Sequence, residues 1–306
     1  MKHLPLQSLY FRKLLSDYAR HLERVGYNPF TIKMLPSFVR EFFHQIEQTG
    51  IKSLEEVTPE VINNHYRYLK ERPCRGRPGS LSESMLHGHL WALKILFSFL
   101  QAEGRIDADP FSLLSFPSPK KQQREILTSK EIEKLYHACE SSLDRAILGL
   151  FYGLGLRKSE VQALNVRDIS FKSRLLYVRS GKGKRRRVVP VTGKVTGDLK
   201  HYYQQERIRM LRRSKDPDKE KAFILNSNGE RMLGQSFWRK LRYLVLKAGI
   251  ENPGRITLHS LRHSIATHLL GSGLSVEQVR DFLGHTNIES TQVYLRINNE
   301  ELKSEK

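Results

Sequence analysis

The sequence predicts a mainly α-helical protein with a small antiparallel β-sheet, divided into a helical N-terminal domain and an α+β C-terminal domain. Hydrophobic residues recur at spacings of three and four over most of the 306 residues. Two short alternating segments flank a glycine-containing turn. Residues 118–127 have the composition of a linker. We therefore expect one domain over residues 1–117, a linker over 118–127 and a second domain over 128–306.

The N-terminal domain is expected to consist of helices joined by short polar segments. One helix follows Asn28-Pro29, another has Pro59 at its first position, and a third runs from about residue 82 to residue 102. Ser53-Leu-Glu-Glu56 is a capping-box pattern. The first helix carries an apolar stripe made of Tyr10, Leu14, Tyr18, Leu22 and Val25.

Two prolines and a polar run mark the boundary between the domains. Pro117 and Pro119 prevent a continuous helix, and the Lys/Gln/Arg run that follows has no apolar side chain to bury. Thr128-Ser-Lys-Glu131 then has the pattern of a capping box, which predicts the start of a new helix.

The second domain is expected to begin with two helices, at about residues 129–139 and 142–153. A hairpin follows, because apolar residues alternate in 174–179 and in 187–191 on either side of a turn that contains two glycines. Residues 222–225 predict a further short strand. Four more helices are expected at about 235–248, 261–272, 275–283 and 287–296.

The net formal charge of +20 predicts a polyanionic partner. Residues 1–118 hold 15 Lys and Arg against 12 Asp and Glu, whereas residues 119–306 hold 37 against 20. A phosphate polymer is attracted to such a surface, and it releases counterions when the protein docks. The charge therefore indicates a nucleic acid, but it identifies no reaction.

Other classes of protein are disfavoured by composition. No run reaches the roughly 18 apolar residues of a membrane-spanning helix, and the N-terminus lacks the apolar core of a secretory signal. Cys74 and Cys139 are too few for a disulfide framework or a cysteine-based zinc site. We expect a cytoplasmic, nucleoid-associated protein that binds no membrane and needs neither a metal nor a cofactor.

The segment Gly153-Leu-Gly-Leu-Arg157 places an arginine just before a helix. Ser159-Glu-Val-Gln162 is a capping-box pattern, so the helix is expected to start at about Ser159. An arginine held beside backbone amides at a helix start can bind a phosphate with two nitrogens. The alternative is a surface arginine that follows a helix-ending glycine. Glu160 would be a first-turn helix acid, a residue that orients Arg157, or both.

A basic loop occupies the tip of the predicted hairpin. Lys182 lies between two glycines and is followed by Lys184, Arg185, Arg186 and Arg187. Such a loop must contact an anion or suffer self-repulsion. A lysine at the tip could protonate a group next to a phosphate. A loop that only contacts phosphates is the alternative, and it is equally compatible with this segment.

His259 and Arg262 are three residues apart, so they share one face if the segment is helical. Arg262 could neutralise a bound anion while His259 donates a hydrogen bond or moves a proton. His263 and His268 are expected to be packing or surface residues.

The last candidates follow Gly284, which is expected to end a helix. His285 comes next, and Thr286-Asn-Ile-Glu289 has the pattern of a helix start. We expect Tyr294 to lie on that helix. One tyrosine among 12 is most often a core or interface residue, so Tyr294 becomes a candidate nucleophile only together with the other groups.

Taken in order, these motifs resemble those of tyrosine site-specific recombinases of the phage integrase class, with the size and layout of Xer-type enzymes. The resemblance is strong over about residues 125–296, whereas the N-terminal part resembles the core-binding, DNA-binding domain only in length and helical pattern. It implies a catalytic set of Arg157, Lys182, His259, Arg262, His285 and the nucleophile Tyr294.

The resemblance also implies a mechanism and an assembly. Tyr294 would attack a phosphodiester of double-stranded DNA and form a 3′-phosphotyrosyl bond, without a metal or ATP. Strand exchange would require four protomers on two sites, as a homo-tetramer or together with a second recombinase. The biological role would be integration, excision, inversion or dimer resolution.

Two other functions are compatible with parts of the pattern. A type IB topoisomerase-like enzyme would use the same chemistry to relax supercoils. A catalytically silent accessory protein would only bind DNA. The complete set of six residues argues against the second alternative, and the separate N-terminal domain argues against the first.

Overall fold

The computed structural model describes residues 4–74, 78–117, 125–179 and 186–284. The chain forms two compact units, Met1–Gln122 and Gln123–Lys306. None of the helices in the described ranges is long and apolar enough to cross a membrane.

The described part of the first unit contains four helices, each with an oxygen-bearing side chain at its N-cap. Their bounds are α1 Leu9–Arg24, α2 Pro29–Gln48, α3 Pro59–Glu71 and α4 Glu83–Ala102. The caps are Ser8, Asn28, Thr58 and Ser82, whose side chains accept hydrogen bonds from backbone N–H groups three residues later. The predicted starts at residues 29 and 59 and the helix near 82–102 are therefore confirmed.

The capping-box pattern at Ser53 closes a turn and starts no helix. The Glu56 carboxylate accepts hydrogen bonds from the backbone N–H groups of Lys52 and Ser53. The chain remains non-helical up to Thr58, because the residue before a proline disfavours the α conformation. The next helix begins at Pro59.

The core of the first unit is aromatic and aliphatic. The stripe on α1 buries Leu14, Tyr18 and Leu22, while Tyr10 and Val25 at its two ends are exposed. Around the stripe pack the α2 residues Phe38, Phe42 and Ile46 and the α4 residues Leu93, Phe97 and Leu100.

The second unit begins with two helices that lead into the candidate site. α5 spans Ser129–His137 and opens with the predicted capping box of Thr128 and Glu131. α6 spans Ser142–Leu148 and continues as a π-helix over Gly149–Gly153. Single π turns often occur at functional positions. α7 then spans Lys158–Ala163.

A three-stranded antiparallel sheet in the order β1-β2-β3 follows. β1 spans Ile169–Ser170, β2 spans Leu175–Val178 and β3 spans Arg187–Pro190. β2 and β3 form the predicted hairpin, with Leu176 opposite Val189. β1 was not predicted, because two residues are too few to show an alternating pattern.

The expected strand at residues 222–225 is wrong. The segment makes only isolated bridges, at Ala222 and at Leu225. The guanidinium of Arg207 donates to the carbonyl oxygens of Ala222 (2.7 Å) and Phe223 (3.2 Å), so these carbonyls bind a side chain in place of a neighbouring strand.

Five helices complete the described part of the second unit. They are α8 Gly193–Gln204, α9 Glu206–Leu211, α10 Gly234–Lys247, α11 Leu258–Gly271 and α12 Val276–Leu283. α8 and α9 were not predicted. α11 begins three residues earlier than expected, because Thr257 and Ser260 cap each other's backbone N–H groups. The helix expected at 287–296 lies outside the described residues.

Candidate active site

The candidate residues fall into a described and an undescribed group. Arg157, Glu160, Arg186, Arg187, His259 and Arg262 are described. Lys182, Lys184, Arg185, His285 and Tyr294 lie outside the described residues.

Arg157 lies at the N-cap of α7, so this helix starts one residue earlier than the sequence pattern indicated. The reason is that the Glu160 carboxylate, rather than the Ser159 side chain, binds the free backbone N–H at the cap. The Arg157 N–H donates to Glu160 Oε2 at 2.9 Å. The guanidinium donates from Nη1 to Glu160 Oε1 at 2.9 Å and from Nη2 to the Gly284 carbonyl at 3.0 Å. Its side chain is 18% exposed, so its orientation is fixed while part of it remains open to a ligand.

Glu160 is the buried anion at the centre of the site. Its side chain is 1% exposed. Besides Arg157, it is bound by Arg187, from Nη1 to Oε1 at 2.8 Å and from Nη2 to Oε2 at 2.9 Å. Burial alone would raise the pKa of the Glu160 carboxyl, but the hydrogen bonds and positive charges of Arg187 and Arg157 hold that pKa below its ordinary value. Glu160 is therefore ionised at neutral pH.

Arg262 reaches the same region from α11 and is 4% exposed. Its Nη1 donates to the Gly155 carbonyl, and its Nη2 donates to the Leu283 carbonyl at 2.6 Å. Carbonyl groups in the last turn of a helix lack intrahelical partners and carry partial negative charge. Arg157 and Arg262 thus both bind the C-terminal end of α12, at the adjacent carbonyls of Gly284 and Leu283.

Two glycines allow these elements to approach one another. Gly155 has a φ of +57°, and a Cβ there would lie 2.6 Å from Leu283 Cδ2. Gly284 has a φ of +66° and ends α12 in the left-handed conformation, as the sequence predicted. A Cβ on Gly284 would lie 2.7 Å from Arg187 Cδ. Neither position can accept a larger residue without displacement of its neighbours.

His259 lies in the first turn of α11 and is exposed. Because Arg262 follows it three residues later, the two side chains share one face of the helix. His268 lies farther along α11, and its Nδ1 is 2.9 Å from the hydroxyl oxygen of Tyr152.

Arg187 was grouped with the basic loop in the sequence, but its side chain faces inward. Its side chain is 12% exposed and its guanidinium faces Glu160, whereas Arg186 is exposed. Strand alternation contains a signal for this difference, since Arg187 shares a face of β3 with the buried Val189.

A metal-binding group is not found in the described ranges, where no cluster of three or more His, Cys, Asp and Glu side chains could hold an ion. The arrangement instead presents two guanidinium groups and an imidazole. Such donors can bind a phosphate and stabilise negative charge on its oxygens.

The sequence is similar to one protein family and to two recombinases over most of its length. A model described as the phage integrase family matches residues 125–301. Tyrosine recombinase XerC 2 of Ralstonia nicotianae is 30% identical over 307 residues, which cover 98% of this chain and 86% of that protein. Tyrosine recombinase XerC of Bacillus subtilis is 30% identical over 299 residues, which cover 96% of this chain and 94% of that protein.

Solved structures share the fold. The Tn1549 transposon integrase in complex with a circular intermediate DNA has a TM-score of 0.71 at 20% identity, over 94% of this chain and 99% of that one. The XerH site-specific recombinase bound to a palindromic difH substrate has a TM-score of 0.71 at 18% identity, over 94% of this chain and 83% of that one. These likenesses confirm the predicted fold class.

Proposed function

The chain belongs to the phage integrase family and is a tyrosine recombinase, an enzyme that cuts and rejoins DNA, and on this premise we propose which of its residues carry out the reaction. Tyr294 is the nucleophile. The other members of the catalytic set are Arg157, Lys182, His259, Arg262 and His285.

The observation that carries this proposal is the convergence of two arginines from separate elements. Arg157 at the N-cap of α7 and Arg262 on α11 donate to adjacent carbonyls at the end of α12. Two fixed guanidinium groups at one place can hold the nonbridging oxygens of one phosphate. They also stabilise the extra negative charge that develops when a nucleophile attacks the phosphorus, which is where electrostatic catalysis is most effective.

The chemical step requires two proton transfers, one from the attacking tyrosine and one to the leaving 5′ oxygen. A tyrosine hydroxyl has an ordinary pKa of about 10, so Tyr294 needs a base, and His259 takes its proton. The phenolate oxygen forms a bond to phosphorus, and the bond from phosphorus to the 5′ oxygen breaks. Lys182 gives a proton to that leaving oxygen, and His285 donates a hydrogen bond to the phosphate. Attack by a 5′ hydroxyl on the 3′-phosphotyrosyl bond reverses the step without ATP.

The partner of this site is double-stranded DNA. Residues 119–306 carry most of the excess positive charge, with 37 Lys and Arg against 20 Asp and Glu. Lys184, Arg185 and Arg186 contact its phosphates. The helical N-terminal domain, residues 1–117, binds the same duplex. Exchange of strands between two sites takes a homo-tetramer or a mixed assembly with a second recombinase, in the cytoplasm on the nucleoid.

The experiment that tests the catalytic set captures the covalent intermediate. Sheared genomic DNA of the source organism is incubated with the protein, and the fragments that remain attached after denaturation are sequenced. The enriched sequence is then synthesised as a duplex with a nick beside the cleavage point, so that the released strand diffuses away and the adduct accumulates. We expect an adduct with the natural protein and none with Tyr294→Phe.

Two results would contradict this proposal. An adduct that persists in Tyr294→Phe would remove Tyr294 as the nucleophile. Relaxation of a supercoiled plasmid without the captured sequence, at the rate seen with that sequence, would favour a topoisomerase-like activity over recombination at a defined site.

A further inference from the structure

Arg187 makes a two-point ion pair that is not accounted for by DNA binding. Its two terminal nitrogens donate in parallel to the two oxygens of Glu160, at 2.8 and 2.9 Å. This fork-to-fork geometry is the strongest and most directional pairing of arginine with a carboxylate. Because the side chain is only 12% exposed, its charge is directed inward.

The same carboxylate holds Arg157. Glu160 Oε1 accepts from Nη1 of both arginines, and Oε2 accepts from Arg187 Nη2 and from the Arg157 backbone N–H. A carboxylate has about four lone-pair positions, so these four bonds fill it. With Arg187 in place, the carboxylate cannot rotate without losing bonds to both arginines.

The α12 end closes over Arg187 from the other side. A Cβ on Gly284 would lie 2.7 Å from Arg187 Cδ and 3.0 Å from its Nη1. The side chain is thus enclosed between Glu160 and the turn that ends α12. Its backbone is fixed as well, because Arg187 is paired with Val178 in the register of β2 and β3.

We propose that Arg187 is a positioning residue for DNA cleavage, which acts through Glu160 to fix the guanidinium of Arg157 against the phosphate. This inference rests on the proposed function, since it makes Arg187 a support for the anion clamp, the pair of Arg157 and Arg262 that would hold the phosphate. It also means that the base of the hairpin that carries Lys182 is bonded, through one side chain, to the residue that orients Arg157. Placement of the hairpin and orientation of the clamp are coupled.

The test measures the rate of adduct formation on the nicked substrate at saturating protein, together with the Kd for DNA. Arg187→Met removes the fork and the charge while keeping most of the side-chain length. We expect the cleavage rate to fall about 10- to 100-fold, with little change in Kd. This is the range seen when the hydrogen-bonding partner of a metal ligand is removed, and Arg187 would orient Arg157 in the same indirect way. Arg187→Lys keeps the charge but not the two-point geometry, and it should recover only part of the rate.

A matched control removes an equivalent charge elsewhere in the same unit. Arg167 is exposed and precedes β1, and it has no part in the proposed site. Arg167→Met should cleave at the rate of the natural protein. A comparable loss of rate in this variant would show that general charge, and not the Glu160 contact, is responsible, and it would overturn the inference.

A double-mutant cycle separates positioning from folding. Removal of Arg187 alone leaves a buried carboxylate without half of its partners, which destabilises the fold. The double variant Glu160→Gln/Arg187→Met has no such charge, so its urea midpoint should recover while its cleavage rate stays low. In the Glu160→Gln background Arg187→Met should cause no further loss of rate, because Arg187 orients Arg157 only through the Glu160 carboxylate, which is already absent. Rate losses that multiply independently would overturn the inference.

A modified substrate identifies the part of the reaction that is affected. A 5′ bridging sulfur is a good leaving group without a proton, so it should rescue Lys182→Ala but not Arg187→Met. Rescue of Arg187→Met would show that Arg187 acts on the leaving group and would overturn the route through Arg157. If the natural protein forms no Tyr294-dependent adduct, the proposed function fails. If it does so and Arg187→Met cleaves equally fast, only this inference fails.

Discussion

Gly155 tests the geometry of the site through a single added methyl group. Gly155→Ala places a Cβ 2.6 Å from Leu283 Cδ2 and 3.4 Å from Ile265 Cγ2, at a φ of +57°. The left-handed backbone costs about 1–2 kcal/mol for a residue with a Cβ. Displacing the buried Leu283 adds about 1–3 kcal/mol of overpacking. We expect the free energy of unfolding of the second unit to fall by about 2–5 kcal/mol.

Gly249→Ala is the matched control, because it has the same backbone strain without the steric contact. Gly249 has a φ of +62° and no heavy atom within 4 Å of an added Cβ. Its substitution should therefore cost only the backbone contribution of about 1–2 kcal/mol. The difference between the two variants, about 1–3 kcal/mol, measures how tightly Gly155 packs against the end of α12.

The assay is urea unfolding followed by tryptophan emission. The sequence holds two tryptophans, Trp91 and Trp238, so a Trp91→Phe background leaves a reporter in the second unit alone. The midpoint should fall further in Gly155→Ala than in Gly249→Ala, at an unchanged slope with urea. Gly155→Ala should also cleave DNA more slowly, because the Gly155 carbonyl accepts a hydrogen bond from Arg262. Equal losses of stability in the two variants would refute the packing argument.

Three further outcomes are expected. Arg262→Ala should lower the cleavage rate about 10²- to 10³-fold with DNA binding retained, as measured by adduct formation and anisotropy, because a charge-stabilising donor is lost. Folding lowers the pKa of Glu160 from 4.5. The ionised carboxylate therefore contributes its full stabilisation above pH 4.5, and this contribution is lost as the pH falls through the folded pKa. Glu160→Gln should make the free energy of unfolding of the second unit depend less on pH in this acid range. Burial lowers the pKa of His65 and His89 from 6.5 to about 3, so only the unfolded state is protonated between these values. Urea titrations should show first-unit stability falling as the pH drops from 6.5 towards 3, and less steeply when both histidines are replaced by Gln.

The features that sequence predicted well are those encoded within a few residues. The box of Thr128 and Glu131 needs no other part of the chain, so its four-residue pattern is sufficient to predict the start of α5. The hairpin was predictable because both strands alternate on either side of a glycine-containing turn. The same kind of pattern at Ser53 starts no helix. Pro59, six residues later, keeps Thr58 in an extended conformation, and the helix begins only after it.

The features that sequence did not predict depend on partners far along the chain. Arg187 finds its carboxylate 27 residues away, and Arg207 takes backbone carbonyls 15 and 16 residues away. A basic run indicates phosphate binding equally well whether a given arginine faces outward or inward. The alternation along β3 places Arg187 on the face of the buried Val189 and so separates it from Arg186, but it does not identify Glu160 as its partner.

The charges around Glu160 would allow the proposed phosphate-binding pair, Arg157 and Arg262, to work beside a buried carboxylate. A single glutamate bonded to Arg157 alone would orient that guanidinium but would also cancel its charge, and so weaken its attraction for a phosphate. Arg187 binds the same two oxygens and supplies a second positive charge. With Arg262 included, the four described groups then carry a net charge of +2. The carboxylate can thus fix the direction of Arg157 while the site stays positive where a phosphate would bind.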